Sequence, residues 1–330
     1  MNILVIGAAG MVGRKLLERI VKDGSLNHRP VTAMTLADVV EPAVPAGAGW
    51  PVTTRAVDIA DPAVGPLLVA DRPDVIFHLA AIVSGEAEQN FDKGYAINLD
   101  GTRHLLDAIR AAHAASGGTY RPRLVFTSSI AVYGAPFPEP IGDEFFHTPL
   151  TSYGTQKAIA ELLLSDYTRK GFLDGVGIRL PTICVRPGKP NLAASGFFSN
   201  IIREPLAGKP AVLPVSEDVL HWHASPRAAV GFLIHAAQLS GELLGARRNL
   251  TMPGLAATVG GQIAALERVA GMSAVRLIER RPDPAIARIV AGWPRSFDPT
   301  RAISLGFVAE STFDEIIQVH IEDELGGTVG

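Results

Sequence analysis

The segment Asn2-Ile3-Leu4-Val5-Ile6-Gly7-Ala8-Ala9-Gly10-Met11-Val12-Gly13 decides the fold of this chain. Its first part, Asn2–Ile6, is a run of aliphatic and β-branched residues, which predicts a strand buried on both faces. A loop with regularly spaced glycines follows, and residues 14–22 then have the pattern of a helix. A strand, a glycine loop and a helix in direct succession are the context that the dinucleotide-binding fingerprint requires, although the glycines here are spaced GxxGxxG rather than GxGxxG.

The glycines of this loop meet three different geometric demands. Gly7 allows a tight turn, Gly10 allows the backbone to approach a pyrophosphate, and Gly13 allows the helix to pack closely on the strand. The N-terminus of the helix that follows brings free amides and the positive end of the helix dipole to the phosphates. The loop therefore predicts a dinucleotide site; a tight turn without a ligand is the alternative.

The second predicted strand, Val31–Asp38, ends in an acidic residue. A carboxylate at this strand end can accept hydrogen bonds from the ribose hydroxyls of NAD, and it repels the 2′-phosphate of NADP. Arg14 would favour NADP, but it lies inside the start of the predicted helix. The sequence therefore predicts NAD as the cofactor, with the alternative that Asp38 only ends the strand.

The composition is that of an ordinary globular protein. Of the 330 residues, 47% are hydrophobic and 19% charged, which allows one large α/β domain with an addition, or two domains. The net charge of −3 gives no reason to expect a nucleic acid or an anionic membrane as partner.

Cys184 is the only cysteine, so an intrachain disulfide and a multi-cysteine zinc site are excluded, and we expect no metal. Met1 is followed by no basic leader, and no apolar run is long enough to span a bilayer, so we expect a cytoplasmic protein.

Strands and helices alternate along the first half of the chain. This alternation implies right-handed βαβ crossovers, and hence an α/β fold with a Rossmann-type, doubly wound parallel sheet. The pattern becomes irregular after Pro181, which predicts a smaller C-terminal α/β substrate lobe. We expect an NAD-binding domain over residues 1–180, with a helix over 224–241 packing back on it, and a mainly substrate-binding, interleaved lobe over 181–330. The other elements predicted for the first domain are strands Val52–Val57, Val75–Ala81, Arg123–Phe126 and Val176–Leu180, and helices beginning at Asp61-Pro62, over Gly94–Ala115 and over Thr151–Lys170.

Tyr153 and Lys157 are four residues apart in the last of these helices. At this spacing both side chains lie on one helix face, close enough to share a ligand. The ammonium group of a lysine favours the phenolate form of a nearby tyrosine, so the pair can move a proton. The spacing alone is common in helices, and its meaning depends on the residues that accompany it.

Taken in chain order, the motifs resemble the extended branch of the short-chain dehydrogenase/reductase family, the NAD-dependent epimerase/dehydratase-like proteins. Besides the glycine loop, the resemblance is carried by Asp38, Asp58-Ile59, Leu79-Ala80-Ala81, Asn98, Ser128-Ser129, Val132-Tyr133-Gly134, and Tyr153 with Lys157. In that family a serine four residues before the tyrosine of the Val-Tyr-Gly sequence is catalytic, which implies catalysis by Ser129, Tyr153 and Lys157. The resemblance also implies a homodimer formed through the helices Gly94–Ala115 and Thr151–Lys170. The cofactor contacts that it implies are Gly7, Gly10, Met11, Val12, Gly13, Asp38, Asp58, Ile59, Leu79, Ala80, Ala81, Asn98, Tyr153, Lys157 and Pro181.

A narrower resemblance concerns the segments Arg179–Asn191, His221–Arg227 and Asp283–Pro294. They are similar to a group of this family that oxidises the C2 hydroxyl of a four-carbon sugar acid, such as D-erythronate, with NAD. His221-Trp222-His223-Ala224 departs from the His-Val-Asp-Asp sequence that is usual in the wider branch. A sugar-acid substrate needs a positive partner for its carboxylate, and an arginine can grip it with two parallel hydrogen bonds. The expected substrate contacts are Ser84, Ser129, Tyr153, Arg186, Lys189 and Asn191.

Two other functions remain open from the sequence. A nucleotide-sugar epimerase, dehydratase or reductase would share the fold. Dehydratases, however, need an acid pair beside the catalytic hydroxyl, where Ile130-Ala131 stands, and epimerases usually keep an asparagine where Leu180-Pro181-Thr182 stands. A non-catalytic, dinucleotide-sensing regulator is the weaker alternative, because such proteins tend to lose the tyrosine–lysine pair that this chain retains.

Overall fold

The computed structural model describes residues 1–188 and 195–328 of the chain. Two of the predicted substrate contacts, Lys189 and Asn191, lie outside these residues. The strands are β1 Asn2–Ile6, β2 Ser25–Leu26, β3 Arg29–Pro30, β4 Ala33–Asp38, β5 Val52–Ala56, β6 Val75–His78, β7 Arg123–Ser129, β8 Ile141–Gly142, β9 Asp174–Leu180, β10 Thr182–Ile183, β11 Ala211–Leu213, β12 Leu220–Ala224, β13 Asn249–Thr251, β14 Leu255–Thr258, β15 Ile278–Arg280 and β16 Phe297–Asp298. The helices are α1 Met11–Asp23, α2 Val64–Val69, α3 Ser84–Gln89, α4 Phe91–Gly94, α5 Gly101–Ala115, α6 Ser152–Arg169, α7 Gly196–Leu206, α8 Pro226–Gln238, α9 Gly241–Leu244, α10 Val259–Val275, α11 Pro284–Ala291, α12 Thr300–Ser304 and α13 Phe313–Glu324, with a π-helix over Tyr95–Asp100 and a 3₁₀ turn over Ile130–Val132.

The N-terminal strand β1 lies inside the main sheet. Within the described residues this sheet has seven strands, in the order β13-β9-β7-β6-β1-β4-β5. β1 pairs in parallel with β4 on one side and β6 on the other, and the parallel pairing continues to β5 and β7. Residues 3–6 are buried, as expected for a strand that is covered on both faces. The prediction of an α/β fold with a Rossmann-type, doubly wound parallel sheet is confirmed, because the strand order changes direction at β1.

The fourth predicted strand, Val75–Ala81, is too long, since β6 ends at His78. Leu79 and Ala80 both donate their amide hydrogens to the carbonyl oxygen of Ile6, at 2.8 and 3.0 Å. A regular parallel ladder spaces its hydrogen bonds evenly, so two consecutive amides on one carbonyl end the strand. The chain leaves the sheet three residues earlier than the run of small apolar residues indicates.

Two helix predictions were also wrong in their bounds. The helix expected at Asp61-Pro62 begins at Val64, because the Asp61 carboxylate accepts a hydrogen bond from Ala63 N at 2.9 Å and closes a turn instead. The single helix expected over Gly94–Ala115 is divided into α4, the π-helix and α5. The widened turn of the π-helix falls where buried contacts with neighbouring elements, given below, hold it.

The chain forms two compact units, of which unit 1 comprises residues 1–132, 151–179 and 230–250. In unit 1, α2 packs against α5, and α6 packs against β7 and the 3₁₀ turn. The core is formed by aliphatic and aromatic side chains of the sheet and of these helices, including Leu4, Ile76, Leu105, Ile109, Phe126 and Leu164. Burial of this core holds α6 against the strand that ends in Ser129.

Unit 2 comprises residues 133–150, 180–229 and 251–330. It contains a three-stranded sheet in the order β10-β12-β14 and a two-stranded sheet of β11 and β15. Helices α7, α10 and α13 pack around a core that includes Phe198, Ile201, Leu266 and Ile317. The assignment of an NAD-binding domain to residues 1–180 and of a substrate lobe to 181–330 stays a prediction. Across the described residues, no helix has both the length and the apolar character needed to span a membrane.

Candidate active site

The glycine loop between β1 and α1 leaves no room for side chains at two of its positions. Gly7 has a φ of 92°, and a Cβ there would lie 2.6 Å from the amide nitrogen of Ala80. A Cβ on Gly13 would lie 2.3 Å from the carbonyl oxygen of Gly7, far inside van der Waals contact. Helix α1 therefore starts directly against the carboxyl end of β1, which only glycine at these positions permits.

The N-terminus of α1 offers backbone amides to a ligand. Its N-cap residue is Gly10, which has no side chain to bond to the amides of the first turn. A helix start of this kind carries a partial positive charge and directs the amides of Met11, Val12 and Gly13 outward. These residues fit the pyrophosphate of a dinucleotide, which is the group expected from the sequence.

Asp38 stands at the end of β4 and is bonded to the glycine loop. One carboxylate oxygen accepts a hydrogen bond from Ala9 N at 2.9 Å, and the other accepts one from Val39 N at 2.7 Å. A carboxylate oxygen has a second lone pair, so each can still accept a bond from a hydroxyl group. The residue fits the ribose of NAD, and its negative charge opposes the additional phosphate of NADP.

Other predicted cofactor residues follow the ends of parallel strands, where ligands of such sheets bind. Asp58 and Ile59 follow β5, and the segment Leu79–Ala81 follows β6. Asp58 is exposed and accepts a hydrogen bond from Ala60 N at 2.9 Å within its own turn. Ile59 is buried, and a Cβ on Gly101, at the start of α5, would lie 2.8 Å from its side chain and 3.2 Å from its carbonyl oxygen. Pro181, directly after β9, is buried in unit 2.

Asn98, in the π-helix, is buried inside unit 1 and joins three elements. Its Oδ1 accepts a hydrogen bond from Ile82 N at 2.9 Å, and its Nδ2 donates to Ile82 O at 3.2 Å. Nδ2 also donates to Oε1 of Gln156, on α6, at 2.8 Å. Asn98 thus holds the segment after β6 at a fixed distance from α6, and its contact with the cofactor stays a prediction.

The two adjacent serines at the end of β7 have different surroundings. Ser128 is buried, and its hydroxyl donates a hydrogen bond to Oε1 of Glu161 at 2.5 Å. Ser129 is half-buried, and its Oγ accepts a hydrogen bond from Ala131 N at 3.1 Å. Successive strand residues point to opposite faces, so the two hydroxyls cannot serve the same site. Of the two serines, Ser129 is the more exposed.

Helix α6 begins with a side-chain cap next to the tyrosine. Oγ1 of Thr151 accepts a hydrogen bond from Gly154 N at 3.1 Å, which fixes the first turn of the helix. Tyr153 lies in that turn and is half-buried. Lys157, one turn later, is 2% exposed. The helix therefore holds the tyrosine at a partly open position and the lysine in the interior.

The ammonium group of Lys157 ties α6 to β7. It donates a hydrogen bond to the carbonyl oxygen of Thr127 at 2.7 Å. Its Nζ lies 4.7 Å from the ring centre of Phe126 and 5.8 Å from that of Tyr153. Burial lowers the pKa of this ammonium to about 7, an effect that the negative charge of Glu161 opposes. A lysine with a pKa near neutrality and a tyrosine beside it is an arrangement typical of proton-transfer sites.

The predicted substrate contacts lie in both units. Ser84 is the first residue of α3 in unit 1 and is half-buried. Arg186 belongs to unit 2, where its Nε donates to Ile183 O and its Nη2 donates to Oγ of Ser195, both at 2.9 Å. These two bonds fix the plane of the guanidinium fork. Lys189 and Asn191 fall outside the described residues.

Several buried polar residues near the tyrosine–lysine pair were not predicted from the sequence. Gln156 bonds to Asn98, and Glu161 bonds to Ser128 and to Arg179 of β9. The sequence could have indicated Glu161, because it follows Lys157 by four residues and so lies on the same helix face. It could not have indicated Arg179 or Gln156, since their partners are distant in sequence. In unit 2, Oγ1 of Thr182 and Nε2 of His221 lie 2.7 Å apart, a contact that was also not foreseen.

Comparison with known proteins agrees with this arrangement. The model of the NAD dependent epimerase/dehydratase family matches residues 3–224. The D-erythronate dehydrogenase of Cupriavidus necator is 45% identical over 327 residues, covering 98% of each chain. The D-erythronate dehydrogenase of Haemophilus influenzae is 40% identical over 325 residues, covering 98% of this chain and 100% of that protein. A solved structure described as the nucleoside-diphosphate-sugar epimerase from Agrobacterium tumefaciens is 67% identical, with a TM-score of 0.98, and covers 100% of this chain and 96% of that one.

The family match spans more than half of the chain, and the relatives extend it to nearly the full length. The predictions of an extended short-chain dehydrogenase/reductase and of NAD as cofactor are confirmed. The residues at the glycine loop and at Asp38 fit that cofactor, as described above. The chain belongs to the NAD dependent epimerase/dehydratase family and is an NAD-dependent oxidoreductase.

Proposed function

We propose that this enzyme oxidises the C2 hydroxyl of D-erythronate with NAD and forms 2-dehydro-D-erythronate, a 2-oxo-tetronate. The observation that carries the proposal is the 45% and 40% identity to two D-erythronate dehydrogenases over nearly the whole chain. Function depends on the site rather than on the fold, so coverage of both halves of the chain matters. The half after Pro181, where substrate residues are expected, is included in that similarity.

In the proposed reaction the alcohol loses its two hydrogens in different forms. The hydroxyl proton passes to Tyr153, which acts as the general base in its phenolate form. The hydrogen on C2 leaves with its electron pair as a hydride, and bound NAD supplies the acceptor for it. Ser129 donates a hydrogen bond to the substrate oxygen as that oxygen changes from hydroxyl to carbonyl. Lys157 supplies the positive charge that favours the phenolate.

The proposed reaction also requires residues that hold the NAD. The loop from Gly7 to Gly13 and the first amides of α1 would bind the pyrophosphate, and Asp38 would accept hydrogen bonds from one ribose. Lys157 would bond to the hydroxyls of the other ribose, which explains why a lysine is kept in the interior at this point. Asp58, Ile59, Leu79–Ala81, Asn98 and Pro181 complete the proposed contacts.

Replacing Tyr153 by phenylalanine tests the proposed base. The change removes the hydroxyl and keeps the ring, so we expect NAD to bind nearly as well while turnover falls by about 10² to 10⁴-fold. Turnover is followed by the absorbance of NADH with D-erythronate as substrate, and NAD binding is followed by calorimetry. A Tyr153→Phe variant with near-normal turnover would show that another group takes the proton.

Arg186 is the proposed partner of the substrate carboxylate, with Lys189, Asn191 and Ser84 as further contacts. Its orientation supports this role, because Ile183 O and Ser195 hold the guanidinium in one plane and a planar fork matches a carboxylate. For Arg186→Gln we expect the KM for the sugar acid to rise by about tenfold or more, since a charge-assisted hydrogen bond contributes about 1.5–3 kcal/mol. An unchanged KM would place the carboxylate elsewhere. Arg227→Gln, which removes an exposed arginine paired with Glu322, serves as the control.

The structure of the 67% identical protein carries the description of a nucleoside-diphosphate-sugar epimerase, which makes epimerisation the second candidate. The two activities give different signals with the same purified enzyme. Oxidation of D-erythronate accumulates NADH, whereas an epimerase returns the hydride and leaves the NADH absorbance unchanged while its sugar isomerises. If the enzyme turns over a UDP-sugar and forms no NADH from any of a panel of sugar acids, epimerisation becomes the favoured function.

The enzyme is further proposed to act in the cytoplasm as a homodimer. The dimer would form through α5 and α6, which pack on each other in unit 1, and Leu162 on α6 is 62% exposed although it is apolar. An exposed apolar side chain on a helix is favourable when a second subunit covers it. Light scattering of the purified protein measures its mass in solution, and a monomer at all concentrations would exclude the dimer.

A further inference from the structure

Glu161 is a carboxylate in the interior of unit 1, one helical turn beyond Lys157. It is 0% exposed, and Arg179, its partner on β9, is 5% exposed. Nε of Arg179 donates to Oε1 at 3.0 Å and Nη2 donates to Oε2 at 2.8 Å, so the two side chains form a bidentate ion pair. The hydroxyl of Ser128 donates to the same carboxylate at 2.5 Å. One buried side chain thereby joins α6 to β7 and to β9.

A buried ion pair of this kind needs an explanation other than stability. Removing two charges from water costs several kcal/mol each, and their attraction commonly does no more than offset that cost. What Glu161 does achieve is geometric and electrostatic. It fixes the strand end next to Ser129, and it brings a negative charge to the helix face that carries the buried ammonium of Lys157.

The groups that face Lys157 come from three elements. Tyr153 and Glu161 are on its own helix, the Thr127 carbonyl and the Phe126 ring are on β7, and His78 is on β6. Burial lowers the pKa of His78 to about 3, with a further contribution from the charge of Lys157, so this imidazole is neutral near pH 7. Glu161 is therefore the negative group that opposes the loss of the Lys157 proton while the tyrosine is still protonated.

We propose that Glu161 is a positioning residue of the active site, which keeps Lys157 charged and aligned, while Ser128 and Arg179 hold the Glu161 carboxylate in place. Its use in catalysis rests on the reaction proposed above. The charged state of Lys157, however, is a property of the protein without substrate, and it can be measured there. The two proposals can therefore fail separately.

The test is the titration of Lys157, followed by NMR on protein with isotope-labelled lysine side chains. The signal is assigned by its absence in Lys157→Arg. Glu161→Gln alone leaves Arg179 buried without a charged partner, so the decisive variant combines Glu161→Gln with Arg179→Met, which removes both charges at similar volume. We expect the titration midpoint of Lys157 to fall by about one pH unit or more in this double variant.

The same change predicts a shift in the activity profile. Since Lys157 must be charged to favour the phenolate of Tyr153, the alkaline loss of turnover should begin at correspondingly lower pH in the double variant. If the ion pair has only a structural role, the Lys157 midpoint stays unchanged, whether or not the melting temperature falls. Asp166→Asn is the matched control, because it removes an exposed carboxylate from the same helix and should leave the midpoint in place.

Two outcomes overturn one proposal each. A Lys157 midpoint in the double variant equal to that of the unaltered protein contradicts the positioning role of Glu161, whatever the substrate. A shifted midpoint in a protein that oxidises no sugar acid supports the positioning role and contradicts the proposed function.

Discussion

At the scale of a single residue, Asp38 holds a carboxylate beside the glycine loop, where the ribose of the cofactor is proposed to bind. Its two oxygens each accept a backbone amide, from Ala9 in the glycine loop and from Val39. These bonds fix the negative charge at the carboxyl end of β4. The charge is thus held in a fixed place beside the glycine loop, and in the proposed cofactor site it would discriminate NAD from NADP by electrostatic repulsion.

We expect Asp38→Asn to lower the preference for NAD over NADP by about tenfold or more. The amide keeps one acceptor oxygen, but it loses the charge-assisted bond to a ribose hydroxyl and the repulsion of a 2′-phosphate, and the first of these alone is worth about 1.5–3 kcal/mol. The measurement is the ratio of kcat/KM for the two cofactors. Asp61→Asn is the control, because Asp61 also accepts a local amide but lies in an exposed turn. A ratio unchanged by the Asp38 substitution would assign the selectivity to other residues.

At the scale of elements, the joint between β1 and α1 depends on the missing side chain of Gly13. A Cβ there would lie 2.3 Å from the carbonyl oxygen of Gly7 and 2.9 Å from Ala8, and both contacts are with backbone atoms that cannot rotate away. The helix start can accommodate a methyl group only by moving away from the strand. Such a movement displaces the amides that are expected to bind the pyrophosphate.

Gly13→Ala should therefore weaken NAD binding and reduce stability together. Overpacking of this kind typically costs about 1–3 kcal/mol, and we expect the Kd for NAD to rise by about tenfold or more. Gly231→Ala in α8 is the matched control, because a Cβ there meets no atom within 4 Å and alanine favours a helix by about 0.5–1 kcal/mol. Calorimetry of NAD binding and thermal unfolding of both variants provide the comparison. A Gly13→Ala variant that binds NAD normally would contradict the close-packing argument.

The elements also show what the sequence could and could not predict. The central strands were found because burial on both faces produces continuous apolar runs, as in β1. The π-helix was not found, because its wide turn depends on bonds from Asn98 to Ile82 and Gln156, which are far apart in sequence. The choice of Ser129 over Ser128 came from a family resemblance, whereas the physical reason, the bond from Ser128 to Glu161, required the folded chain. The ion pair of Arg179 with Glu161 likewise joins a strand to a helix, and no periodic pattern in the sequence indicates it.

At the scale of the whole molecule, buried histidines link stability to pH. Burial lowers the pKa of His78 to about 3 and that of His221 to about 4, and it holds the pKa of His223 well below 6.5. The unfolded chain binds these protons more readily than the folded chain does. Stability contributed by the neutral imidazoles is therefore present above pH 6.5 and is lost as the pH falls from there toward 4.

We expect His78→Phe to make unfolding less sensitive to acid. The phenyl ring can keep the contact with Phe126, and Thr102 keeps its hydrogen bond to Asn98 O. The variant loses the 2.9 Å hydrogen bond between Nε2 of His78 and Oγ1 of Thr102, which lowers stability at every pH, and it loses one titrating group, which changes the pH dependence. The free energy of unfolding in urea, measured at pH values on either side of 6.5, should show a smaller difference than in the unaltered protein. His28→Asn is the control, because His28 is exposed and Asn tolerates its φ of 59°. Equal acid sensitivity in the His78 variant and the unaltered protein would attribute the effect to other groups.

The seven-stranded sheet has a consequence for folding of the protein during its synthesis on the ribosome. Its strand β9 ends at Leu180, but the neighbour that covers its outer side, β13, is not made until residues 249–251. At ordinary elongation rates the intervening residues take roughly 4 to 14 s to synthesise. During that interval the nascent chain presents β9 as an unpaired strand edge, which is a template for pairing with other chains. Slow translation between these two strands should therefore lower the yield of native protein, and a chaperone that binds extended segments should restore it.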